Sequence, residues 1–541
     1  MTVRNPRVQH LLSVVVIVTA FFALYSPILS APFWAVDEWE VLSFSTSTPL
    51  HPQLAASRPG LNSLDDFTQY IISDFQREGR FRPMWHIPRF VQAALFGSNA
   101  VAWHVMLLLM GSATMILCYA AARAARMGWL AAFLIPMWMI VSPQASEIWS
   151  RVGPNETSGM VFLALSVFAG VKAAARTSLN RWDWVMLVAL ALAGLSKESL
   201  ALAGPAVVFG RAGLAVFWSG IHWRVMARQL WPVLVGGLGV TVALLGLIWL
   251  VSRAGGWGVS VVSLSLQSFL PWNWIIDLYG ISPLVLFFAP AFLAFVIAPN
   301  WPNVRISSPW LLAGYAAFAL WVIPQLILYQ ATVLTGRFLY PVLAGVVTLN
   351  GWGVDTLARK RLWALLAPLL VVIGLVLGRQ AIDLYNEAGR ISARAQAFDD
   401  MLKAAASTVG DRAIVIAADP ALVPEWICAI PSLLGSKGVQ NALYLQPVIE
   451  SEELAAAQAM GYLVRCLGGE SFVTTENLDT ADVGAVILLS SLDGFAASAP
   501  AWFQASEWQS VDHTRTFETL RFNSSAPPAS VTFTTLEPAA P

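Results

Sequence analysis

The chain has 541 residues, 57% of them hydrophobic and only 12% charged, against roughly 25% charged in a soluble domain. Lysine plus arginine and aspartate plus glutamate number 32 each, a balance that says nothing about partners, because what matters is how charge is distributed between the two faces; no nucleic-acid partner is expected. Apolar runs of about 18–22 residues, enough to cross roughly 30 Å of hydrocarbon, recur from the N-terminus to about Gly378, which excludes an ordinary soluble fold.

The first run begins near His10 and ends near Leu29, too long for a cleaved signal and too bulky at Tyr25 and Pro27. It is expected to be the first transmembrane helix. Further spans are expected near residues 100–122, 128–142, 157–173, 183–196, 199–212, 230–251, 281–298, 308–329, 338–355 and 362–378, about eleven in all. Alternate loops carry Arg4 and Arg7; Arg123 and Arg126; Lys172, Arg176 and Arg181; Arg211, Arg224 and Arg228; Arg305; and Arg359, Lys360 and Arg361. This positive-inside pattern assigns those loops and the N-terminus to the cytoplasm. An odd number of spans then leaves everything after Arg379 outside.

The opposite loops hold most of the acidic residues. The first of them, residues 31–99, opens APFWAVDEWEVLSF, with Asp37 and Glu38 between Trp34 and Trp39. Its length far exceeds the usual 2–8 residues of a helix–helix connection, and long ordered loops are usually functional. Ser63 and Asp66 make a capping box for a helix whose apolar stripe is Phe67, Tyr70, Ile71 and Phe75. Pro88 is expected to open a second helix that closes at Gly97. Between them lies REGRFRPMWHIPR, with Arg82 and Trp85. Shorter outer loops supply Glu147, Arg151 and Glu156 in PQASEIWSRVGPNE, Lys197 and Glu198 in LSKES, and Arg337 and Tyr340 in LTGRFLYPVL. Lys197 and Glu198 read equally as a functional pair or as an ion pair bracing a tight turn. Ionisable groups at membrane depth are costly, and their gathering on one face points to a shared site.

After Gly378 polar residues return. A helical stretch from Ile382 to about Ala406 is followed by short apolar runs at AIVIA, ALYLQ and GAVILL, separated by helix-like segments such as EELAAAQAMG. This alternation predicts a small extracytoplasmic α/β domain over residues 379–541, behind a transmembrane module over 1–378. The end, SSAPPASVTFTTLEPAAP, is expected to be loosely held. Of the three cysteines, Cys118 lies inside a span, whereas Cys428 and Cys466 fall in the outer domain, where a bridge or two free thiols are both open.

VDEWE after the first helix, FRPMW with LFGSNAVAWH, PQASEIWSR, LSKES and GRFLYPVL occur in an order that resembles the GT-C superfamily of integral-membrane glycosyltransferases. The likeness is to the protein O-mannosyltransferase-like branch and its bacterial relatives, and it covers about residues 30–345. It implies a bacterial inner- or plasma-membrane enzyme that takes a sugar from a polyprenyl-phosphate-linked donor. Transfer to a protein, lipid or glycan hydroxyl would occur outside the cytoplasm, with inversion at the anomeric carbon. The family's acceptor-side carboxylate maps onto Asp37, with Glu38 in support.

The residues suit that chemistry. A carboxylate within about 3 Å of the hydroxyl can take its proton, and the leaving phosphate needs cations, for which Arg337, Lys197, Arg82 and Arg151 are available. Trp34, Trp39 and Trp85 would wall the sugar, with Glu147, Glu198 and Tyr340 beside it. No second Asp-x-Asp pair or His cluster with ligand spacing is visible, so a metal-free mechanism is expected; Glu38 with Glu147 or Glu156 is the acidic set a divalent metal would use. No Gly-rich phosphate loop favours a nucleotide-sugar donor. A transporter or flippase of lipid-linked saccharide, and a non-catalytic scaffold, are the alternatives; paired repeats with broken midplane helices would mark the transporter.

Overall fold

The computed structural model describes residues 6–34, 38, 41, 44, 64–78, 82–254, 290–297, 320, 337, 340–418, 424–448, 478–489, 495, 503, 508–510, 515–519 and 529–539. Helix α1 (Pro6–Tyr25) runs into a 3-10 turn at Ser26–Ser30. The first loop carries α2 (Leu64–Glu78) and α3 (Pro83–Phe96). Then come α4 (Ala100–Ala124), α5 (Trp129–Val141), α6 (Pro143–Trp149), α7 (Glu156–Ala173) and α8 (Arg181–Ser196). After a 3-10 turn at Glu198–Ala203 follow α9 (Gly204–Ser219), α10 (Trp223–Ala254), α11 (Tyr340–Arg359) and α12 (Trp363–Thr408).

Among the described residues six helices are long and apolar enough to cross a membrane, or seven if α5 and α6, bent by 67° at Ser142, form one span. The chain is a polytopic integral membrane protein. Every expected span coincides with a helix except those near 281–298 and 308–329, which lie largely outside the described residues. Phe21, Tyr25, Met115, Trp138, Trp149, Tyr340 and Val346 share one core. Helices α1 and α4 approach so closely that a side chain at Gly111 would collide with the Phe21 ring.

Helix α12 runs unbroken for 46 residues, about 69 Å at 1.5 Å per residue and more than twice the hydrocarbon thickness. The expected boundary at Gly378 and the expected separate helix from Ile382 are therefore parts of one rod: nothing between Gly378 and Thr408 breaks a helix, and Gly378 and Gly389 face open space. Its far half carries the C-terminal domain. There β1 (Ala413–Ala418), α13 (Pro424–Ser436), β2 (Leu443–Pro447), β3 (Val483–Leu489), β4 (Trp508–Ser510), β5 (Arg515–Thr519) and β6 (Ala529–Pro538) build a six-stranded sheet. Strands β2, β1 and β3 are parallel, β6 runs antiparallel to β3, and β4 and β5 both pair with β6. Side-chain alternation splits its apolar residues between two cores. Ile414, Ile416, Ala485, Ile487 and Phe533 face α12 and α13, while Val415, Ala417, Val486, Leu488 and Leu536 face Phe495, Phe503 and Trp508.

The expected strands at AIVIA, ALYLQ and GAVILL are β1, β2 and β3. EELAAAQAMG lies outside the described residues. The loose tail is corrected from Ala529 onward, because the β-branched and aromatic run SVTFTT pairs on both sides as β6. Cys428 is disulfide-bonded and Cys118 is free; Cys466 lies outside the described residues.

Candidate active site

The first loop and the C-terminal domain lie on one side of the helical module, because Phe33, Trp34, Val41, Phe44, Tyr70 and Trp85 belong to the same apolar core as Phe398, Trp426 and Phe533. At this end the chain leaves α1 and its 3-10 turn and carries no regular structure over Ala31–Trp34. The Glu38 carboxylate, 1% exposed, accepts the backbone N–H of Trp34 through Oε2 and that of Val152, at 2.7 Å, through Oε1. One side chain thus closes its own loop and staples it to the segment between α6 and α7. His104 Nε2 is 3.9 Å from the same Oε1; the Asn99 side chain caps α4 by accepting the Ala102 N–H and so sets where His104 stands.

Helix α3 begins at Pro83, not Pro88. Pro83 occupies the first helical position after Arg82, where a missing N–H costs nothing. Pro88 sits inside the helix and deprives the Met84 carbonyl of its i+4 donor. That carbonyl instead accepts the Ser158 hydroxyl at 3.4 Å, which ties α3 to α7. The Trp85 indole donates to the Gly153 carbonyl at 2.9 Å, and the Arg82 guanidinium lies 5.4 Å from the Trp85 ring centre.

Arg89, on the same buried stripe as Trp85, is 2% exposed. It donates to Gln92 Oε1 at 2.8 Å and Thr157 Oγ1 at 2.7 Å. Burial pushes its pKa down to about 10, with the Glu38 charge pulling the other way, so it stays a cation at neutral pH. Next to Thr157, Glu156 forms a buried ion pair with Lys197 and lies within the field of Arg337. The Arg337 backbone N–H reaches Glu147 Oε2 at 3.3 Å, and Arg151 Nη2 lies 4.0 Å from the same oxygen.

These contacts bring together most of the residues singled out from the sequence: Glu38, Arg82, Trp85, Glu147, Arg151, Glu156, Lys197 and Arg337. Asp37, Trp39 and the Glu198 side chain lie outside the described residues. Lys197 pairs with Glu156, 41 residues away in the chain, because Lys197 is extended at the end of α8 and sends its side chain across to α7. Trp34 and Tyr340 are core side chains: Trp34 packs on Trp426 and Phe398, and the Tyr340 hydroxyl accepts from the Trp149 indole at 3.1 Å.

Sequence reasoning passed over Arg89, Gln92, Thr157 and His104. The available signal was a charge in the apolar stripe Trp85–Arg89–Gln92–Ala93, where an amphipathic helix ordinarily carries none. Both Glu38 oxygens accept backbone N–H groups, and Glu156 pairs with Lys197.

No protein-family model matches the sequence, and no curated protein matches it. Among solved structures the chain is similar to the crystal structure of ArnT from Cupriavidus metallidurans bound to undecaprenyl phosphate, with a TM-score of 0.49, 13% identity and 97% of each chain covered. It is also similar to the Archaeoglobus fulgidus oligosaccharyltransferase in complex with Zn and sulfate, with a TM-score of 0.46, 12% identity and coverage of 96% of this chain and 74% of that one. Both TM-scores are under 0.5, too low to carry an argument about the chemistry of this chain.

Proposed function

We propose that this protein is a glycosyltransferase that moves a sugar from a polyprenyl-phosphate-linked donor to an acceptor hydroxyl at the membrane face carrying the first loop, with inversion. The observation that carries the reading is the desolvated charge at that end: Glu38, Arg89, Glu156 and Lys197 are all buried there, with Arg337 and Arg151 beside them. A lipid phosphate leaving group gains negative charge as its bond to the sugar breaks, and cations in a low-dielectric site stabilise that charge far better than water does. Arg337, Arg82 and Arg151 are assigned to the phosphate. Lys197, held by Glu156, adds field and no free charge.

The base is assigned to Asp37. Glu38 is occupied in holding the loop, so its neighbour is the carboxylate left for the acceptor proton. Asp37 follows Trp34 by three residues, a reach of at most about 10 Å, and Trp34 is buried against the C-terminal domain. No metal is needed in this scheme, since the cations come from the chain. The face concerned is assigned to the extracytoplasmic side from the arginine pattern.

Asp37→Asn keeps the shape and removes the basicity, and is expected to slow transfer by about 10²- to 10⁴-fold. The assay is transfer from labelled undecaprenyl-phosphate-linked hexoses into envelope extract by purified variants, with and without chelator. Near-wild-type turnover by a folded Asp37→Asn variant removes Asp37 from the mechanism, whereas failure of the wild-type chain to transfer from any of the donors favours the transporter reading.

A further inference from the structure

The C-terminal domain uses the two faces of its sheet differently. One face is closed by residues of the domain itself, Phe495, Phe503 and Trp508. The other face packs on the far half of α12 and on α13, and it also takes in Phe33, Trp34, Val41 and Phe44 from the first loop. Four rings meet there. Trp34 comes from the loop, Phe398 from α12, Trp426 from α13 and Phe533 from β6. Trp34 lies 5.5 Å from Trp426 and 6.1 Å from Phe398, centroid to centroid. Phe533 lies 5.0 Å from Trp426 and 5.5 Å from Phe398. The Thr535 hydroxyl donates to the Met401 carbonyl at 2.8 Å, which fixes the sheet to the rod.

The same Trp34 gives its backbone N–H to the buried Glu38 carboxylate, which in turn holds Val152. Its ring is therefore set by the C-terminal domain and its backbone by the transmembrane module. Phe398, Trp426 and Phe533 would pack on one another without Trp34, at 5.0–6.5 Å. The loop ring is an addition to a core already closed.

We propose that the C-terminal domain is a working part of the transferase, with Trp426 as a positioning residue that acts through Trp34 on the placement of Asp37 and Glu38. The inference rests on the function proposed above. Its physical content is that a loop bearing a catalytic group needs a rigid seat, because misplacement by about 1 Å can cost about 10² in rate. Trp426 provides that seat from nearly 400 residues along the chain, which explains why the domain is joined to the membrane by one stiff helix and no flexible linker.

The test uses the full-length chain in nanodiscs and two readouts. Amide hydrogen exchange over Ala31–Phe44 is expected to rise at least tenfold in Trp426→Ala, to stay near wild type in Trp426→Phe, and to be unchanged in Val486→Ala, which thins the opposite face of the sheet. Turnover with labelled undecaprenyl-phosphate-linked hexoses is expected to fall about 10- to 100-fold in Trp426→Ala with donor KM within threefold, and to recover in Trp426→Phe. Should Trp426→Ala fail to fold, Trp34→Leu removes the loop ring and leaves the other three in contact, and the same changes are expected. Unchanged loop exchange in Trp426→Ala or Trp34→Leu overturns the proposal, as does an equal rise in Val486→Ala. Raised exchange with unchanged kcat also overturns it. If the wild-type chain transfers from none of the donors, the transferase reading fails alone, and the exchange result still decides whether the domain seats the loop.

Discussion

The two ends of the helical module both carry carboxylates paired with cations, and two of those pairs, Asp355–Arg359 and Glu156–Lys197, live in different solvents, although the end opposite the C-terminal domain also holds a buried pair, Asp183–Arg211. At the end away from the C-terminal domain, Asp355 accepts the Gly128 N–H at 2.7 Å and Arg359 Nε at 2.7 Å, and Arg359 also donates to the Arg126 carbonyl. Arg126 and Arg361 take positive φ there, ending α4 and α11 in tight turns. The Arg359 side chain is 59% exposed, so water shares its charge and the cluster serves to close turns. At the loop end the Lys197 and Glu156 side chains are 9% and 2% exposed, and Arg89 and Glu38 are buried beside them. Charge in water is cheap, whereas charge withdrawn from water must be matched group by group. An end that maintains several such groups is the end where chemistry is to be sought.

The largest expected effect tests whether that burial is energetic fact. Lys197→Met removes the cation paired with buried Glu156, and Glu156→Leu removes the carboxylate paired with buried Lys197. Each is expected to destabilise by about 3–5 kcal/mol, while the double variant recovers most of the loss because an apolar pair needs no matching. Equilibrium unfolding in mixed micelles measures all three. Single-variant losses below about 1 kcal/mol would place this pair in the same class as Asp355–Arg359 and dissolve the contrast between the ends.

Arg89 comes next. It has two neutral hydrogen-bond partners, Gln92 and Thr157, and the Glu38 charge nearby. Arg89→Met loses two charge-assisted hydrogen bonds, each worth about 1.5–3 kcal/mol, but also removes a desolvated cation. The opposing effects leave a net loss of about 2 kcal/mol. Arg89→Lys is expected to restore only part of it, since an ammonium lacks the fork that reaches both partners. A lysine variant as stable as wild type would mean that charge alone matters at this position.

Much of this was legible in the sequence, and the failures share a cause. Composition and run length placed nine of the expected spans on helices, six or seven of them long and apolar enough to cross a membrane. Helix α2 begins at Leu64, after the capping box expected at Ser63, which lies outside the described residues. Alternating apolar runs gave β1, β2 and β3. Local signals misplaced the start of α3, because Pro88 sits inside the helix with the Met84 carbonyl served from 74 and 112 residues away by the Ser158 and Ser196 hydroxyls. They left Lys197 open between a functional role and an ion pair with its neighbour Glu198, and could not show that Glu156 on α7 reaches it. Strand β6 was hidden by Pro and Ser around a short β-branched run whose pairing partners lie in β3 and β5. Each miss was a choice made by a tertiary contact. In the site itself, residue types and the face they share could be read from the chain; which cation holds which carboxylate could not.

The smallest expected effect lies at the water-exposed end and completes the comparison. Arg359→Ala removes an i,i+4 contact to Asp355 and a bond to the Arg126 carbonyl. Exposed pairs of this spacing contribute about 0.3–0.5 kcal/mol and are screened by salt. Asp355 keeps its bond to the Gly128 N–H, so the turn stays closed without the arginine. The variant is therefore expected to lose under about 1 kcal/mol at low salt, less in 1 M salt, and to leave transfer unchanged. The Lys197 and Glu156 single variants, compared in the same two buffers, should show nearly the same loss at both ionic strengths, because mobile ions do not enter a desolvated pair. Salt response thus separates these two pairs without reference to activity. A salt-insensitive loss at Arg359, or a salt-sensitive one at Lys197, would show that burial is not what distinguishes them.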